Sequence, residues 1–217
     1  MKRPIFLISI TPYDDSAVTH LSLLKTRFLE TDLPLDNHDG LILTSKQAVE
    51  AVERIDPAWK RLPVLCVGKA TQKKAEALGA VVLERSDGYG AGLYDIVKKR
   101  YAARKWLYAR PKVVASDFAR RLRDDNISVD ETVVYETVCD ARNTAAEIPA
   151  DAVLVFTSPS ALKCFRSRFE LKNSHSLVVI GKTTAAAIGE HPDVHLADEP
   201  GVAACIALAK KIAAKRK

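Results

Sequence analysis

The chain has 217 residues, of which 47% are apolar and 28% are charged, as is typical of a soluble globular protein. No apolar run approaches the roughly 18 residues of a membrane span, and the apolar stretch near the N-terminus is too short for a signal peptide. The formal net charge is +6, which favours a polyanionic small substrate, and the length suits two domains of about 100 residues each.

Short apolar, β-branched runs alternate along the chain with segments whose apolar residues lie three and four positions apart. The runs lie at residues 5–9, 41–44, 64–67, 81–83, 106–109, 153–156, 177–180 and 194–196. One helical stripe is predicted from Ala17 to Phe28 and another from Val202 to Ala213. Strands that alternate with helices predict an α/β protein with parallel sheets covered on both faces.

Two stretches interrupt this rhythm. Residues 31–39 (TDLPLDNHD) carry a proline and polar residues without periodicity, whereas residues 127–138 (ISVDETVVYETV) alternate as one long strand. We interpret both as connections between two units. Two antiparallel crossings would form a two-stranded β-ladder hinge.

One string of landmarks occurs twice, 113 positions apart and without a gap. It pairs Ser45 with Ser158, Gly68 with Gly181, Lys69 with Lys182, and Thr71 with Thr184. A repeat of this length predicts two similar α/β units and one ligand site built between equivalent edges. We assign 40–125 to one domain and 1–30 with 139–217 to the other, joined by 31–39 and 126–138; the repeat alone permits other pairings.

Each copy contains two turns at which a predicted strand ends and a helix begins. Thr44-Ser45 and Thr157-Ser158 form one kind, and the glycine turns with Lys69, Thr71, Lys182, Thr183 and Thr184 form the other. Serine and threonine there cap helices, because the side-chain oxygen accepts a backbone N–H that has no other partner. The N-termini of helices also attract anions. Plain capping and an anion-binding cleft therefore both remain open.

Other kinds of site are not supported by the sequence. There is no GxGxxG or Walker A pattern, so we expect no nucleotide cofactor. We also expect no metal, because His191 and His195 are separated by a proline and have no partner cluster. FTSPS (156–160) is not a GxSxG elbow. The four cysteines show no close pairing, which favours a reduced, cytoplasmic compartment. The basic tail (210–217) is interpreted as a solvated helix end rather than a nucleic-acid arm.

Six segments, in this order, resemble uroporphyrinogen-III synthase. They are TSKQAVEA, VGKATQKKAEALG, LYARPKVVASDFARRL, VVYETV, FTSPSALKCF and IGKTTAAAI, and together they cover most of the chain from residue 40 to residue 190. Each motif alone is weak, but their order and spacing are fairly specific. The chain departs from the family where Ile10-Thr11-Pro12 stands in place of Thr-Arg-Pro.

The resemblance implies two α/β domains joined by a two-stranded β-ladder. It implies an enzyme that closes hydroxymethylbilane, a linear tetrapyrrole with eight carboxylates, to uroporphyrinogen III, with loss of water and inversion of the last pyrrole, and without a metal or cofactor. The residues implied to bind substrate in the interdomain cleft are Thr44, Ser45, Lys69, Thr71, Arg110, Ser158, Lys182, Thr183 and Thr184. Tyr135 matches a linker tyrosine proposed as the acid for the departing hydroxyl. A monomer is expected, with transient contact to the deaminase that supplies the bilane.

Two other functions remain as alternatives. Duplicated α/β lobes with two crossings also occur in non-enzymatic binding or sensor proteins, for which tight sugar or amino-acid ligands without tetrapyrrole turnover would be the sign. Nucleic-acid binding through the positive charge ranks last, and it predicts association that depends steeply on salt.

Overall fold

Strands and helices alternate along the chain in the computed structural model, which describes residues 2–87, 90–114, 116–140, 147–199 and 201–215. The described strands are β1 Ile5–Ile8, β2 Val18–Leu21, β3 Leu24–Phe28, β4 Gly40–Leu43, β5 Val64–Val67, β6 Val82–Ser86, β7 Trp106–Pro111, β8 Val129–Cys139, β9 Val153–Phe156, β10 Ser176–Val179 and β11 Val194–Leu196. The described α-helices are α1 Lys46–Ile55, α2 Lys69–Ala77, α3 Gly90–Arg100, α4 Phe118–Asp124, α5 Pro159–Arg166, α6 Lys182–Ile188 and α7 Val202–Ala214. Two short 3-10 helices span Leu35–Asn37 and Pro57–Arg61.

The chain divides into two units, each with its own sheet. Met1–Lys25 and Thr137–Lys217 form the terminal unit, and Thr26–Glu136 forms the central unit. The division falls within β3 and within β8, which are hydrogen-bonded neighbours. Of the predicted terminal segment, residues 141–146 lie outside the described residues, as do Arg216 and Lys217 of the basic tail.

The terminal unit is built on a sheet with the strand order β11-β10-β9-β1-β2, and all of its pairs are parallel. β1, β9 and β10 are buried along their whole length, because apolar side chains fill both faces. Leu162 and Phe165 of α5 pack in the cluster on one face, and Ile206 of α7 packs in the cluster on the other.

The central unit has the strand order β3-β8-β7-β4-β5-β6. The pairs from β8 to β6 are parallel. β3 runs antiparallel to β8, since Leu29 N donates to Val134 O and Asp140 N donates to Leu23 O. Helices α1 and α2 cover one face together with the buried Trp59, and α3 and α4 cover the other.

The two sheets share a common arrangement of four strands, which confirms the predicted pair of similar parallel-sheet α/β units. β7-β4-β5-β6 in the central unit corresponds to β1-β9-β10-β11 in the terminal unit, with the same parallel neighbours. The register repeats as well, because Leu43 lies opposite Ala109 and Phe156, 113 positions after Leu43, lies opposite Ile8.

Three expectations about local structure were wrong. The stripe from Ala17 to Phe28 is not a helix but the two strands β2 and β3, because β2 completes the terminal sheet and β3 pairs with β8. Residues 31–39 hold a 3-10 turn, so the first connecting strand is β3. The cysteines do pair in part: Cys139, at the end of β8, forms a disulfide with Cys164 of α5. No described helix is both long and apolar enough to cross a membrane.

Candidate active site

Two serines begin helices directly after buried strands. Ser45 follows β4 in extended backbone, and its Oγ accepts from Ala48 N at 3.0 Å at the start of α1. Ser158 follows β9, and its Oγ accepts from Ala161 N at 3.1 Å at the start of α5. Both serines therefore cap their helices. Because each Oγ acts as the acceptor in its cap, the serine proton can still be donated to another group.

Two glycines begin the neighbouring helices without a side-chain cap. Gly68 has φ +77°, a backbone conformation that favours glycine, whereas Gly181 is extended with φ −171°. Open space surrounds the Cα of both glycines, so a ligand can approach the backbone there.

The side chains after these glycines divide into exposed and buried ones. Lys69, Lys182 and Thr183 are exposed, as a direct contact with a ligand requires. Thr71 and Thr184 are only 5% and 2% exposed and lie against the core of their units. Thr71 and Thr184 therefore contribute to packing and offer a ligand almost no exposed surface.

In each unit the serine turn and the glycine turn lie at one edge of the sheet. β4 and β5 are parallel neighbours, and so are β9 and β10. The helices that follow them therefore begin side by side at the carboxyl ends of adjacent strands, which is where α/β sheets bind ligands. Free N–H groups and positive helix ends meet there, so each edge suits a carboxylate.

Tyr135 of β8 reaches the serine turn of the central unit. Its hydroxyl lies 2.8 Å from Ser45 Oγ, and the residue is 7% exposed. Burial raises the pKa of Tyr135 above its ordinary value, and the hydrogen bond with Ser45 opposes this rise. The phenol is thus held in its protonated form beside a hydroxyl that stabilises its anion.

A second tyrosine, which the sequence analysis did not single out, meets the other residue of this turn. Tyr108 of β7 is 4% exposed, and its hydroxyl lies 3.2 Å from Thr44 Oγ1. Tyr108 lies opposite Ile42 in register, so it shares a face with Thr44, two residues further along. The alternation of side chains along WLYARP could have placed Tyr108 and Arg110 on one face of β7, but it could not have placed Tyr108 beside Thr44.

The side chain of Arg110, near the end of β7, is held by contacts with nearby residues. One guanidinium nitrogen donates to Pro111 O at 2.9 Å and to Lys112 O at 3.2 Å. Arg110 Nε lies 3.5 Å from a carboxylate oxygen of Glu131, within ion-pair range but with no hydrogen bond made by this buried nitrogen. The side chain is 21% exposed, and Arg110 follows Ala109, which lies opposite Leu43 at the carboxyl end of β4.

The two histidines that suggested a metal site have other partners. His195 Nε2 lies 2.6 Å from Asp193, and His191 Nε2 lies 3.1 Å from Lys172 O. Within the described residues no group of three or more histidines, cysteines or acids is arranged to hold a metal ion.

Comparison with known proteins decides the family. The family model for uroporphyrinogen-III synthase HemD matches residues 16–207. The chain belongs to the uroporphyrinogen-III synthase family. The resemblance seen in the sequence is thereby confirmed, and it makes the protein an enzyme of tetrapyrrole biosynthesis with a tetrapyrrole substrate.

Solved structures of the same family share the fold. Uroporphyrinogen-III synthetase from Helicobacter pylori 26695 matches with a TM-score of 0.79 and 23% identity over 97% of this chain and 99% of that chain. A mutant uroporphyrinogen III synthase from the extreme thermophile Thermus thermophilus matches with a TM-score of 0.54 and 14% identity over 96% of this chain and 97% of that chain. A search of curated proteins found no match.

The edges described above offer backbone N–H donors, hydroxyls and exposed lysines. Of the predicted site residues, the central unit joins Ser45 to Tyr135 by a direct hydrogen bond, and the adjacent Thr44 is hydrogen-bonded to Tyr108 of β7.

Proposed function

We propose that this protein catalyses the uroporphyrinogen-III synthase reaction as a cyclising lyase: closure of hydroxymethylbilane to uroporphyrinogen III, with loss of water and inversion of ring D. The match to the synthase family over residues 16–207 carries this proposal. The contact between Tyr135 and Ser45 supports it, because it supplies a buried, protonated hydroxyl at a helix start suited to anions.

The substrate carboxylates are bound by the strand-to-helix turns. Backbone N–H groups at the starts of the helices and the hydroxyls of Thr44, Ser158 and Thr183 donate to them, whereas the proton of Ser45 is donated to Tyr135. Lys69, Lys182 and Arg110 add positive charge. The buried Thr71 and Thr184 shape the turns beneath them. Because many weak donors share the task, removing one hydroxyl should weaken binding modestly.

The chemistry requires one proton donor and control of geometry. Tyr135 donates its proton to the departing hydroxyl of the bilane, which leaves as water. The electrons of the pyrrole nitrogen complete an azafulvene cation, and the tyrosine becomes a phenolate to which Ser45 donates a hydrogen bond. The proton that the pyrrole loses when the macrocycle closes returns to this phenolate. Left alone, the bilane closes without inversion. The enzyme therefore acts mainly by holding the bilane folded, so that attack at the substituted carbon of ring D is faster than closure without inversion.

The instability of the bilane also bears on its delivery. Because the free bilane closes on its own to the wrong isomer, a transient contact with the deaminase that produces it would shorten its time in solution. We propose such a contact for a monomeric synthase in the cytoplasm. The Cys139–Cys164 disulfide removes the argument from unpaired cysteines for this compartment, so the proposal rests on the biosynthetic role of the family.

A coupled assay tests the proposed function. Porphobilinogen and a deaminase generate the bilane, the protein is added, the products are oxidised, and the uroporphyrin isomers are separated by chromatography. Mostly isomer III is expected. Isomer I alone, from protein shown to be folded by circular dichroism, would overturn the proposal and favour a non-enzymatic binding protein.

A further inference from the structure

The two hydroxyls of the Thr44-Ser45 turn each meet a tyrosine, from opposite faces of the central sheet. Along β4 the side chains alternate, so Leu43 packs with Tyr135 in one cluster and Ile42 packs with Tyr108 in the other. Tyr108 is fixed there by Phe118, whose ring centroid lies 4.8 Å away. The turn is thus flanked by phenols on both sides.

The direction of the hydrogen bond between Tyr108 and Thr44 follows from burial. Tyr108 is 4% exposed, and in the described part of the chain its hydroxyl has no hydrogen-bond partner other than Thr44 Oγ1. If Thr44 were the donor, the phenol proton would be buried without an acceptor, which is costly. Tyr108 therefore donates, and burial raises the pKa of Tyr108, so that it keeps this proton. The proton of the half-buried Thr44 is left free.

The equivalent threonine of the terminal unit, Thr157, has already donated its proton to a backbone carbonyl. Thr157 lies 113 positions after Thr44, and its Oγ1 donates to Ile8 O at 3.2 Å. The register of β1 with β9 puts Leu7 in the place that Tyr108 has in the central unit. Leucine offers no proton, and the proton of Thr157 is already committed to a carbonyl. The arrangement that frees a threonine proton belongs to the central unit.

We propose that Tyr108 is a positioning residue that acts through Thr44, donating to Thr44 Oγ1 so that the threonine proton is directed to a carboxylate of the substrate. This inference rests on the proposed function. It gives Tyr108 and Thr44 a part in setting the affinity for the bilane. Because Tyr108 touches the substrate only through Thr44, its loss should affect binding rather than the chemical step.

Kinetics of Tyr108→Phe, Thr44→Val and the double variant test this inference. Tyr108→Phe keeps the ring on Phe118 and removes only the hydroxyl. The KM for hydroxymethylbilane should rise about 3- to 10-fold, with kcat changed less than about 2-fold, as expected for one hydrogen bond. In the Thr44→Val background, Tyr108→Phe should raise KM no further, because the group through which it acts is absent.

Tyr94→Phe is the matched control. It deletes a phenol of the same unit that contacts Asp125 and Lys98 instead of Thr44, and it should leave KM unchanged. If Tyr108→Phe proved poorly folded, Tyr108→Leu, which installs the side chain present at the equivalent place in the terminal unit, would replace it in the same cycle. An unchanged KM, or an equal rise in KM with and without the Thr44 hydroxyl, would overturn the inference.

The wild-type protein separates this inference from the proposed function. Formation of isomer I alone by the wild type would remove the function and the inference with it. Formation of isomer III by the wild type, with no effect of Tyr108→Phe on KM, would remove the inference alone.

Discussion

Tyr135 and Ser45 illustrate how one hydroxyl can serve both structure and chemistry. Ser45 Oγ accepts the N–H of Ala48, so its own proton can be donated to the oxygen of Tyr135 at 2.8 Å. In that arrangement the phenol proton of Tyr135 takes the leaving hydroxyl of the bound bilane as its acceptor, whereas the proton of Tyr108 has Thr44 as its acceptor. The same bond stabilises the phenolate left behind, which is why it opposes the rise in the pKa of Tyr135 caused by burial.

Replacing Tyr135 by phenylalanine should therefore slow turnover without misfolding the protein. Because the bilane loses its hydroxyl readily, we expect kcat to fall about 10-fold, below the usual 10²–10⁴ for general acid catalysis. Since the pKa of Tyr135 is raised above about 10, wild-type kcat should stay flat from about pH 6 to about pH 9. Rates of isomer III formation across pH provide both measurements. A variant with wild-type kcat would remove the acid role, and Tyr94→Phe serves as the control.

The helices that follow the two serines form a matched pair. α1 and α5 are capped in the same way, but Ser45 has an additional hydrogen bond to a buried tyrosine. Replacing either serine by alanine removes a cap worth about 1 kcal/mol. Only at Ser45 does the change also leave a buried phenol without its partner, which costs about 1 kcal/mol more.

Urea unfolding can separate these two contributions. We expect Ser158→Ala to lower the free energy of unfolding by about 1 kcal/mol and Ser45→Ala by about 2 kcal/mol. In the Tyr135→Phe background the Ser45 penalty should fall to that of Ser158, because only the cap remains to be lost. Equal penalties at the two serines in otherwise wild-type protein would contradict the structural role given to the Tyr135 contact.

The cysteines make a second prediction at the level of elements. The disulfide joins the end of β8 to α5, whereas Cys66 of β5 and Cys205 of α7 are free and buried. Burial raises the pKa of Cys66 to about 12 and that of Cys205 to about 11, so few thiolates are available to react.

Alkylation by iodoacetamide, read by mass spectrometry, should therefore proceed in steps. Native protein prepared without reductant should react slowly, unfolded protein should take up two labels, and unfolded and reduced protein should take up four. Four labels without reductant would show that Cys139 and Cys164 are not joined. Cys139→Ser with Cys164→Ser is the control, and it should take up two labels after unfolding both with and without reductant.

On the scale of the whole molecule, the repeat was the feature that the sequence revealed best. The spacing of 113 residues keeps the serine and glycine turns equivalent, and the sheets realise it as the same order of four parallel strands. Buried parallel strands are readable because they are continuous apolar runs. The strand at residues 127–138 was predicted from the alternation of its side chains, although its burial does not alternate, because Val134, Tyr135 and Glu136 are buried in succession.

The structural features that the sequence did not reveal depend on contacts between residues that are distant along the chain. The residues from Ala17 to Phe28 fit a helical period. In the structure β2 pairs with β1 and β3 pairs with β8, so strand pairing overrides the local helical pattern. The disulfide joins cysteines 25 positions apart that no motif connects. The contact of Tyr108 with Thr44 requires the register of β7 against β4, which a single sequence does not specify.

The positive charge of the whole chain predicts how salt should act on the enzyme. With a formal charge of +6 and the proposed substrate, which carries eight carboxylates, attraction should be strong at low ionic strength and screened within about 10 Å at 0.1 M salt. Raising salt from about 0.02 M to about 0.3 M should therefore raise KM several-fold, with little change in kcat. The exposed lysines at the turns should contribute more than lysines elsewhere, because their charges lie at the edges where we propose that the carboxylates bind. Lys69→Gln and Lys182→Gln should reduce the salt dependence of KM, whereas Lys215→Gln, beyond the end of α7, should not. If all three variants changed the salt dependence equally, net charge rather than local charge at the turns would attract the substrate, and the binding role of the two turn lysines would be wrong.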